Sequence, residues 1–489
     1  MEERRGINIE NFRSKITSVY INVLKFLIFL LVIASVVMSG IDKVENYISA
    51  GVFLLIIISE IFIITCKKIN KNTKLISLLL IGFFLRLLWL LNVKSVPVSD
   101  FGIMYEGAHQ LLDGNTSIFH GTGYIARFPH LTIMVLYMAL IIKIFPNNNL
   151  MVMKWINLIL GLVTIYFVYK LAKEIFNSQK LALYGVGIAS IFPALVTYVG
   201  VYCTENLAIP FYLASIYLFI MVMKNKLNKN YLILSGAILS VGNLFRMVAL
   251  IMLVAYTAYI ILYDNDKILE KIKTILLYSI PYALVLIIVS ASLQFSKITE
   301  FPLWNGSEPK ITNILKGTNI ENDGRWNEED AKIVDKYNYD YEKIEEASKE
   351  IIKERLTTTP PLKLLKFYFT KYFTQWSSGD FSGVYWSKLN LEDEDIIFDL
   401  EATNFQFPYV VVVVLIFLGL INRKKYTECV EINLIYIIIC GYGLMNLITE
   451  TQGRYSLIAA WVLIIASLEG IRYIYRKSKK EKHLYVGDN

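Results

Sequence analysis

The chain has 489 residues, of which 55% are hydrophobic and only 18% are charged, and its mean hydropathy is +0.49. A soluble chain would be about one-quarter charged. The formal net charge of +8 comes from Lys and Arg in short loops between apolar blocks. That pattern is typical of membrane-topology signals and not of a nucleic-acid footprint. Composition therefore excludes a soluble globular protein and indicates a polytopic membrane protein with no nucleic-acid partner.

Apolar blocks of about 16–22 residues, long enough to cross a hydrocarbon core of about 30 Å, recur along the chain. They predict an all-α membrane protein with about twelve transmembrane helices, at 19–39, 48–65, 75–93, 152–171, 182–199, 206–223, 231–246, 248–263, 274–295, 408–421, 431–448 and 456–474. The basic N-terminal lead is followed by no small-residue cleavage site, so the first block is expected to be a retained span.

The apolar block 131–145 is predicted to lie in the membrane interface. Without it, nearly all short basic loops, such as CKKINKNTK and KNKLNKN, fall on one side of the membrane, whereas counting it as a span divides them between both sides. We therefore expect cytoplasmic termini, a first extracytoplasmic loop from about 94 to 151 with interfacial helices, and a second, large extracytoplasmic loop at 296–405.

The large loop at 296–405 is net acidic, with 21 acids and 14 bases. Opposite charges three and four residues apart predict a helix over 328–356, which Pro360 and Pro361 end. Lysines alternate with aromatics in 362–376, a composition that suits a helix lying in the interface. The loop is thus expected to be mixed but mainly helical. The predicted regions are an N-terminal lead with two extra spans at 1–74, a catalytic membrane module at 75–295, the loop at 296–405 and C-terminal spans with a basic tail at 406–489.

Two acids stand at extracytoplasmic ends of predicted spans. Asp100 follows a span, where a carboxylate could act as a general base toward a hydroxyl, bind a metal or cap a short helix together with Ser99. On spacing alone, capping is the more frequent role. Glu205 lies almost at the membrane boundary, where an ionisable group is costly unless it is solvated or paired. Its alternative role is that of a first-turn acid favoured by the helix dipole.

Three arginines lie where topology signals are not expected. Arg246 interrupts an apolar region on the extracytoplasmic side, and its planar fork of donors suits phosphate, although Glu205 is an alternative partner. Arg454 could bind phosphate or form an ion pair with Glu450, four residues earlier. Arg86 lies inside an apolar block, and we expect it to pair with an acid of another helix.

The remaining polar residues carry weaker signals. His109, His120 and His130 have no metal-site spacing and are interpreted as polar loop residues. Cys203 is interpreted as a packing residue, and the four cysteines form no disulfide or metal pattern. The chain contains no nucleotide-binding fingerprint, and its cytoplasmic loops are short. A lipid-linked donor, which carries its sugar phosphate within the membrane, fits that layout.

Several segments, taken in order, resemble the GT-C glycosyltransferases, most closely the bacterial branch related to protein O-mannosyltransferases and aminoarabinose transferases (glycosyltransferase family 39). They are SDFGIMYEGAHQLLDG, YIARFPHLTIMVLYMALIIKIF, the stretch from YKLAKEIF through VYCTEN to ASIYLF, LSGAILSVGNLFRMVAL, GTNIENDGRWNEED, EEASKEIIKERLTTTPPLKLLKFYFTKYFTQW and TETQGRYSLIAAW. The resemblance covers about residues 75–474. The two spans before it have no counterpart in the shortest family members.

The resemblance implies a polyprenyl-phosphate sugar donor and transfer at the outer face of the membrane. It also implies that Asp100 activates the acceptor, that Glu205 is the second external acid, and that Arg246 and Arg454 lie at the lipid phosphate. The sequence departs from the Asp-Glu pair of the mannosyltransferases, because Phe101 follows Asp100.

We therefore expect a cell-membrane glycosyltransferase that moves one sugar, with inversion, to a hydroxyl of a glycan, lipid or protein of the cell envelope. The expected site consists of catalytic Asp100 and Glu205, phosphate-binding Arg246 and Arg454, and the further candidates Tyr105, Glu106 and Glu450. Glu205 would orient the acceptor or hold a divalent cation, so metal dependence stays open.

Two other functions are compatible with a membrane protein of this size. A transporter or lipid flippase predicts inverted repeats and interrupted helices in matching halves, and neither is visible in the sequence. A wall-polymer ligase or polymerase would also use external arginines, but it would take a lipid-diphosphate oligosaccharide in place of a lipid-monophosphate sugar.

Overall fold

The computed structural model describes residues 2–40, 43–423 and 425–486. Within these ranges the chain is helical, and its one β-type pairing is an isolated bridge between Val93 and Ile396. The first half contains α1 Glu2–Val37, α2 Val44–Thr65, α3 Lys71–Asn92, α4 Ser99–Leu112, α5 Tyr124–Arg127, α6 Thr132–Ile144, α7 Asn149–Phe176, α8 Gln179–Ile191, α9 Pro193–Thr197, α10 Thr204–Met223, α11 Tyr231–Phe245, α12 Leu250–Tyr263 and α13 Ile268–Phe295.

The second half begins with the large loop and ends with three apolar helices. Its helices are α14 Ile311–Gly317, α15 Glu328–Ala331, α16 Ile333–Lys336, α17 Tyr341–Thr358, α18 Pro361–Trp376, α19 Gly383–Lys388, α20 Gln406–Ile421, α21 Ile432–Ile448 and α22 Ala460–Val486. Short 3-10 segments join them, and one of these, Gly453–Ala459, runs directly into α22. The predicted all-α fold and the mainly helical large loop are thus confirmed.

Eight helices of the described ranges are long and apolar enough to cross a membrane, and two bent helix pairs could add two more spans. The pair α8 and α9 bends by 58° at Pro193. Three further apolar helices, α11, α12 and α21, have 15, 14 and 17 residues. The protein is therefore a multi-pass membrane protein, but the expected count of twelve spans is not confirmed because these three helices are short.

The apolar block at 131–145 forms α6, which follows a sharp bend in the first loop. The helices before and after that bend meet at 106°. Helix α6 packs on α4, and Val135 and Met138 on it are fully buried. The bent pair could be a broken span or a re-entrant loop, so the interfacial position of the block stays a prediction.

Small residues let helices of the bundle approach closely, as is usual in membrane proteins. A Cβ on Gly236 of α11 would stand 2.0 Å from the carbonyl oxygen of Tyr278 on α13. A Cβ on Gly470 of α22 would stand 2.1 Å from the carbonyl oxygen of Leu415 on α20. These contacts fix how α11 packs on α13 and how α22 packs on α20. Arg246 directly follows α11, and Arg454 lies in the short segment before α22.

Arg86 stabilises the break between α8 and α9. Carbonyls at a helix end lack intrahelical partners, and Pro193 offers no N–H to continue the ladder. The fully buried guanidinium of Arg86 donates to the carbonyl oxygens of Ala189 and Ser190, both at 3.1 Å. The expected acid partner was wrong, because Arg86 meets a helix end, where the dipole is negative.

The predicted single helix over 328–356 is also wrong, because the chain breaks into α15, α16 and α17. Asn338 and Tyr339 adopt positive φ values of 49° and 59° at the second break. The break lets Ile333 and Ile344 pack together against Leu315 of α14. Burial of this small apolar cluster therefore outweighs the local charge pattern that favours one continuous helix.

Candidate active site

Asp100 lies in the first turn of α4 and contacts two distant side chains. Its Oδ1 accepts a hydrogen bond of 2.8 Å from the hydroxyl of Tyr124, and its Oδ2 accepts one of 3.0 Å from Nη2 of Arg454. The N-cap of α4 is Val98, and no side chain caps this helix. The capping alternative for Ser99 and Asp100 was therefore wrong.

Arg454 occupies a box of aromatic rings in the 3-10 segment before α22. Its side chain is only 6% exposed. The guanidinium carbon lies 4.9 Å from the ring centres of Phe101 and Trp386 and 5.4 Å from that of Tyr455. Ring faces stabilise a cation that burial would otherwise penalise. The charge of Arg454 is thereby held beside Asp100 without full hydration.

Arg246 lies at the break between α11 and α12 and faces Glu205. The break is fixed because the hydroxyl of Tyr212 donates to the carbonyl oxygen of Arg246 at 2.5 Å. Nε of Arg246 lies 3.3 Å from Oε1 of Glu205, whose side chain is 1% exposed. The alternative partner that the sequence offered for Arg246 is thus present in the structure.

Tyr455 connects the two acid–arginine pairs. The guanidinium of Arg246 lies 5.0 Å from the centre of its ring, which also contacts Arg454. The four residues ranked highest from the sequence, Asp100, Glu205, Arg246 and Arg454, therefore lie around one aromatic ring. They come from α4, α10, the α11–α12 break and the segment before α22.

Burial raises the pKa of Asp100, but the charge of Arg454 and the hydrogen bonds from Tyr124 and Arg454 lower it further, so the net shift is downward. Burial, followed by the charge of Asp100, raises the pKa of Tyr124. At neutral pH the carboxyl of Asp100 is therefore ionised, and the phenol of Tyr124 keeps its proton and donates a hydrogen bond to the carboxylate.

Both arginines retain unused hydrogen-bond donors. Nε of Arg246 and Nε of Arg454 are buried without a hydrogen-bond partner among the described residues. The contact of Arg246 with Glu205 has ion-pair distance but not hydrogen-bond geometry, and Oε1 of Glu205 also lacks a partner. Oε2 of Glu205 accepts from the hydroxyl of Thr204 at 3.0 Å. Guanidinium donors that lack a partner can bind an oxyanion.

The described side chains contain no group of three or more His, Cys, Asp or Glu residues that could hold a metal ion. Asp100 and Glu205 each face an arginine, which competes with a cation for the carboxylate. His120 accepts or donates at the carbonyl oxygen of Thr116 at 2.8 Å, and His109 packs on the ring of Tyr105.

Residues 116–295 match the family model described as dolichyl-phosphate-mannose-protein mannosyltransferase. The resemblance to the GT-C membrane glycosyltransferases is confirmed. The matched stretch is less than half of the chain. It includes Glu205 and Arg246 of the candidate site but ends well before Arg454 and begins after Asp100. No curated protein matches the chain.

Among the solved structures that are similar to this chain are two of oligosaccharyltransferase from Archaeoglobus fulgidus. The apo oligosaccharyltransferase of Archaeoglobus fulgidus has 13% identity and a TM-score of 0.49, with 86% of this chain and 52% of that chain covered. The oligosaccharyltransferase AglB of Archaeoglobus fulgidus, in complex with an inhibitory peptide and a dolichol-phosphate, has 13% identity and a TM-score of 0.42, with 85% and 52% covered. The chain spans about half the length of these two proteins.

Three further candidates form no hydrogen bond or ion pair, among the described residues, with Asp100, Glu205, Arg246 or Arg454. Along α4, Tyr105 and Glu106 are rotated by more than about 100° from Asp100. Tyr105 donates to Oδ1 of Asn149 at 2.8 Å, and Glu106 is exposed. The alternative ion pair of Arg454 with Glu450 is absent, because Arg454 pairs with Asp100 and Glu450 accepts from Gln452 at 3.1 Å. Burial raises the pKa of Glu450, against the nearby charges of Lys316 and Arg454.

Sequence reasoning missed the residues that hold the segment before Arg454 in place. The fully buried Lys371 donates to the carbonyl oxygen of Thr449 at 2.8 Å, and Nε2 of Gln375 donates to that of Gln452 at 2.6 Å. Both side chains belong to α18 of the large loop, which was expected to lie in the interface. The lysine-and-aromatic pattern that predicted an interfacial helix gave no sign of these contacts.

Proposed function

We propose that this protein is a glycosyltransferase that moves a sugar from a polyprenyl-phosphate donor to an acceptor hydroxyl at the extracytoplasmic face of the cell membrane. The observation that carries the proposal is the contact of Asp100 with Arg454 beside a second arginine that keeps free donors. A carboxylate for the acceptor and two guanidinium groups for a phosphate are what this reaction requires.

In the proposed reaction, the acceptor oxygen attacks the anomeric carbon of the sugar while Asp100 removes the hydroxyl proton. The bond between that carbon and the phosphate oxygen breaks, and both bonding electrons leave with the phosphate. Attack opposite to the leaving group inverts the anomeric centre. The charge on the leaving phosphate grows in the transition state, where Arg246 and Arg454 stabilise it with preorganised donors.

Arg454 also makes the basicity of Asp100 depend on whether a donor is bound. In the free protein it lowers the pKa of Asp100, and a weakly basic carboxylate is a poor acceptor of the hydroxyl proton. A donor phosphate competes with Asp100 for the same guanidinium, which lessens that effect and makes Asp100 more basic. Asp100 is thereby activated when a donor is in place.

Glu205 positions Arg246 and orients the acceptor. Its side chain is nearly inaccessible, so a charge there is tolerable only beside the arginine. A divalent cation would have to displace that arginine, and we assign no metal to the site. The acceptor is a hydroxyl of a glycan, lipid or protein of the cell envelope.

Transfer by the purified protein from a synthetic polyprenyl-phosphate sugar tests the proposal, with lipid-linked sugars and envelope glycans measured by mass spectrometry in cells with and without the protein. We expect Asp100→Asn to insert normally and to lose a factor of about 10²–10⁴ in rate. The matched control is Asp113→Asn, in the same loop but exposed. Near wild-type turnover of Asp100→Asn contradicts the role of Asp100, and transfer only from a lipid-diphosphate oligosaccharide indicates a ligase or polymerase.

A further inference from the structure

A polar cavity of about 480 Å³ lies at the end of α1 that carries the basic lead. It is lined by α1 between Glu10 and Lys25 and by the loop between α20 and α21, including Arg423 and Lys425. Ser35, near the other end of α1, accepts a hydrogen bond from Gln406 at the start of α20. The cavity therefore lies at the end of α1 opposite to Ser35. That end is predicted to be cytoplasmic, whereas the proposed reaction takes place at the extracytoplasmic face.

Lys25 is a half-buried charged side chain inside the candidate span Glu10–Val37. It lies six residues beyond the start of the apolar block at 19–39. Its hydrogen bond to Oδ1 of Asn22 is long, at 3.4 Å, and it forms no ion pair with a carboxylate of the described side chains. A lysine at this depth is costly unless it has a partner. The cavity is the place where that partner can bind.

Arg423 supplies a second cation with an unused donor. Its side chain is 3% exposed and forms an ion pair of 3.2 Å with Glu469. Its Nε is buried and has no hydrogen-bond partner among the described residues. Lys425 is exposed at the rim, and Glu10 is the acid that lines the cavity. Among the described residues, the lining thus has three cations and one carboxylate, together with hydroxyls such as Ser14 and Ser18.

We propose that this cavity binds the phosphate of an anionic membrane phospholipid. Phe29 and Ile33 follow Lys25 at intervals of four residues, so they lie above it on one face of α1. They are 46% and 49% exposed. Acyl chains packed on these side chains would continue from a headgroup phosphate at Lys25, whereas free phosphate gains nothing from an apolar face.

Lipid retention by the full-length protein tests this inference. The protein is reconstituted with a mixture of phosphatidylglycerol and phosphatidylcholine, and the lipids that stay bound are identified by native mass spectrometry. We expect preferential retention of phosphatidylglycerol, weakened about fivefold in Lys25→Gln, the effect of one basic side chain on attraction to an anionic lipid. Lys15→Gln, an exposed change on α1 outside the cavity, should retain the lipid like the wild type.

A second arm separates lipid from free phosphate. Inorganic phosphate in excess should leave phosphatidylglycerol bound, since it lacks the acyl chains. Complete displacement by inorganic phosphate, equal retention of the two lipids, or unchanged retention in a monodisperse Lys25→Gln each overturns the proposal. If Lys25→Gln does not fold, Lys425→Gln at the exposed rim replaces it, with the same weakening expected and unchanged retention overturning the inference. Glycosyl transfer is not the readout, so the result is independent of the proposed function.

Discussion

Arg454 donates a hydrogen bond of 3.0 Å to Asp100 although the two residues are 354 positions apart in the chain. The pair joins the first loop, at 94–151, to the segment before α22. Arg454 helps to keep Asp100 ionised. In the proposed reaction it also binds the donor phosphate, so one side chain would act on both substrates.

Tyr124→Phe should move the acid limb of the pH–rate profile to higher pH. The hydroxyl of Tyr124 helps to keep the pKa of Asp100 below its ordinary value, so its removal raises that pKa and the carboxylate is protonated earlier as the pH falls. The stability that ionised Asp100 contributes is likewise lost as the pH falls through its folded pKa. Tyr105→Phe, which removes a hydroxyl bonded to Asn149, is the control. An acid limb that stays in place in Tyr124→Phe contradicts the coupling.

Arg246→Lys should fold normally and lose most activity, chiefly through weaker use of the donor. Lysine keeps the charge facing Glu205 but loses the planar fork that fits a phosphate. Steady-state kinetics against donor concentration measure the effect. Arg246→Ala should in addition destabilise the protein by about 3–5 kcal/mol, because it leaves Glu205 buried without its partner.

The combination of Arg246→Ala with Glu205→Ala separates a phosphate ligand from a purely structural ion pair. The double variant should regain stability but not activity. If the double variant regains activity, or if Arg246→Lys is fully active, the pair is structural only and the phosphate is bound elsewhere, with Arg454 the next candidate.

Glu308→Gln should loosen the first loop from the large loop and lower both thermal stability and turnover. Nε and Nη2 of Arg127 donate to Oε2 of Glu308 at 2.8 and 2.6 Å, and Glu308 is 3% exposed. Loss of one partner of a buried pair costs about 3–5 kcal/mol, less here because Arg127 is 22% exposed. Turnover should fall because Arg127 and Tyr124 share the short helix α5.

The matched control for that change is Glu321→Gln. Glu321 pairs with Lys363 at 2.7 Å, with side-chain exposures of 79% and 53%. An exposed pair contributes little to stability, because solvent screens its charges. Thermal unfolding and turnover of both variants decide the matter, and equal effects would mean that the Arg127–Glu308 pair does not dock the loops.

The predicted topology can be tested by cysteine labelling of intact cells after the native cysteines are replaced. Glu354→Cys, exposed on α17 of the large loop, should react with a membrane-impermeant reagent without lysis. Lys267→Cys, exposed before α13, should react only after lysis. The reverse pattern would mean that the orientation is inverted, and the charge asymmetry of the short loops would need another explanation.

Apolar block length and one-sided basic loops were sufficient to predict the helical membrane fold, because each depends on local sequence. The sequence could also suggest that Asp100, Glu205, Arg246 and Arg454 lie close together. Charged residues predicted on one side of a membrane protein are largely excluded from the hydrocarbon core, which limits where they can lie. Their individual partners were less predictable. The four-residue spacing of Glu450 and Arg454 indicates an ion pair only in a helix, and the chain there is extended, with a ψ of 173° at Thr449.

Contacts that depend on where a helix ends could not be derived from composition. Arg86 meets carbonyls that are free only because α8 ends at Ile191. Tyr124 and Trp386 reach the site from separate loops, and tyrosine and tryptophan are too common near membrane interfaces for either to stand out. Register between distant segments, which sets these contacts, is a property of the packed bundle.

The hydrogen bonds from α18 to the segment before Arg454 have a consequence for biosynthesis. Lys371 and Gln375 donate to backbone carbonyls of residues that are synthesised about 80 positions later. Asp100 is separated from its partner Arg454 by 354 positions. Helices that insert in order from the N-terminus can therefore assemble most of the bundle while the site is still incomplete. The proposed phosphate-binding arrangement would form only when α22 inserts, so a nascent or truncated chain could occupy the membrane without binding a donor.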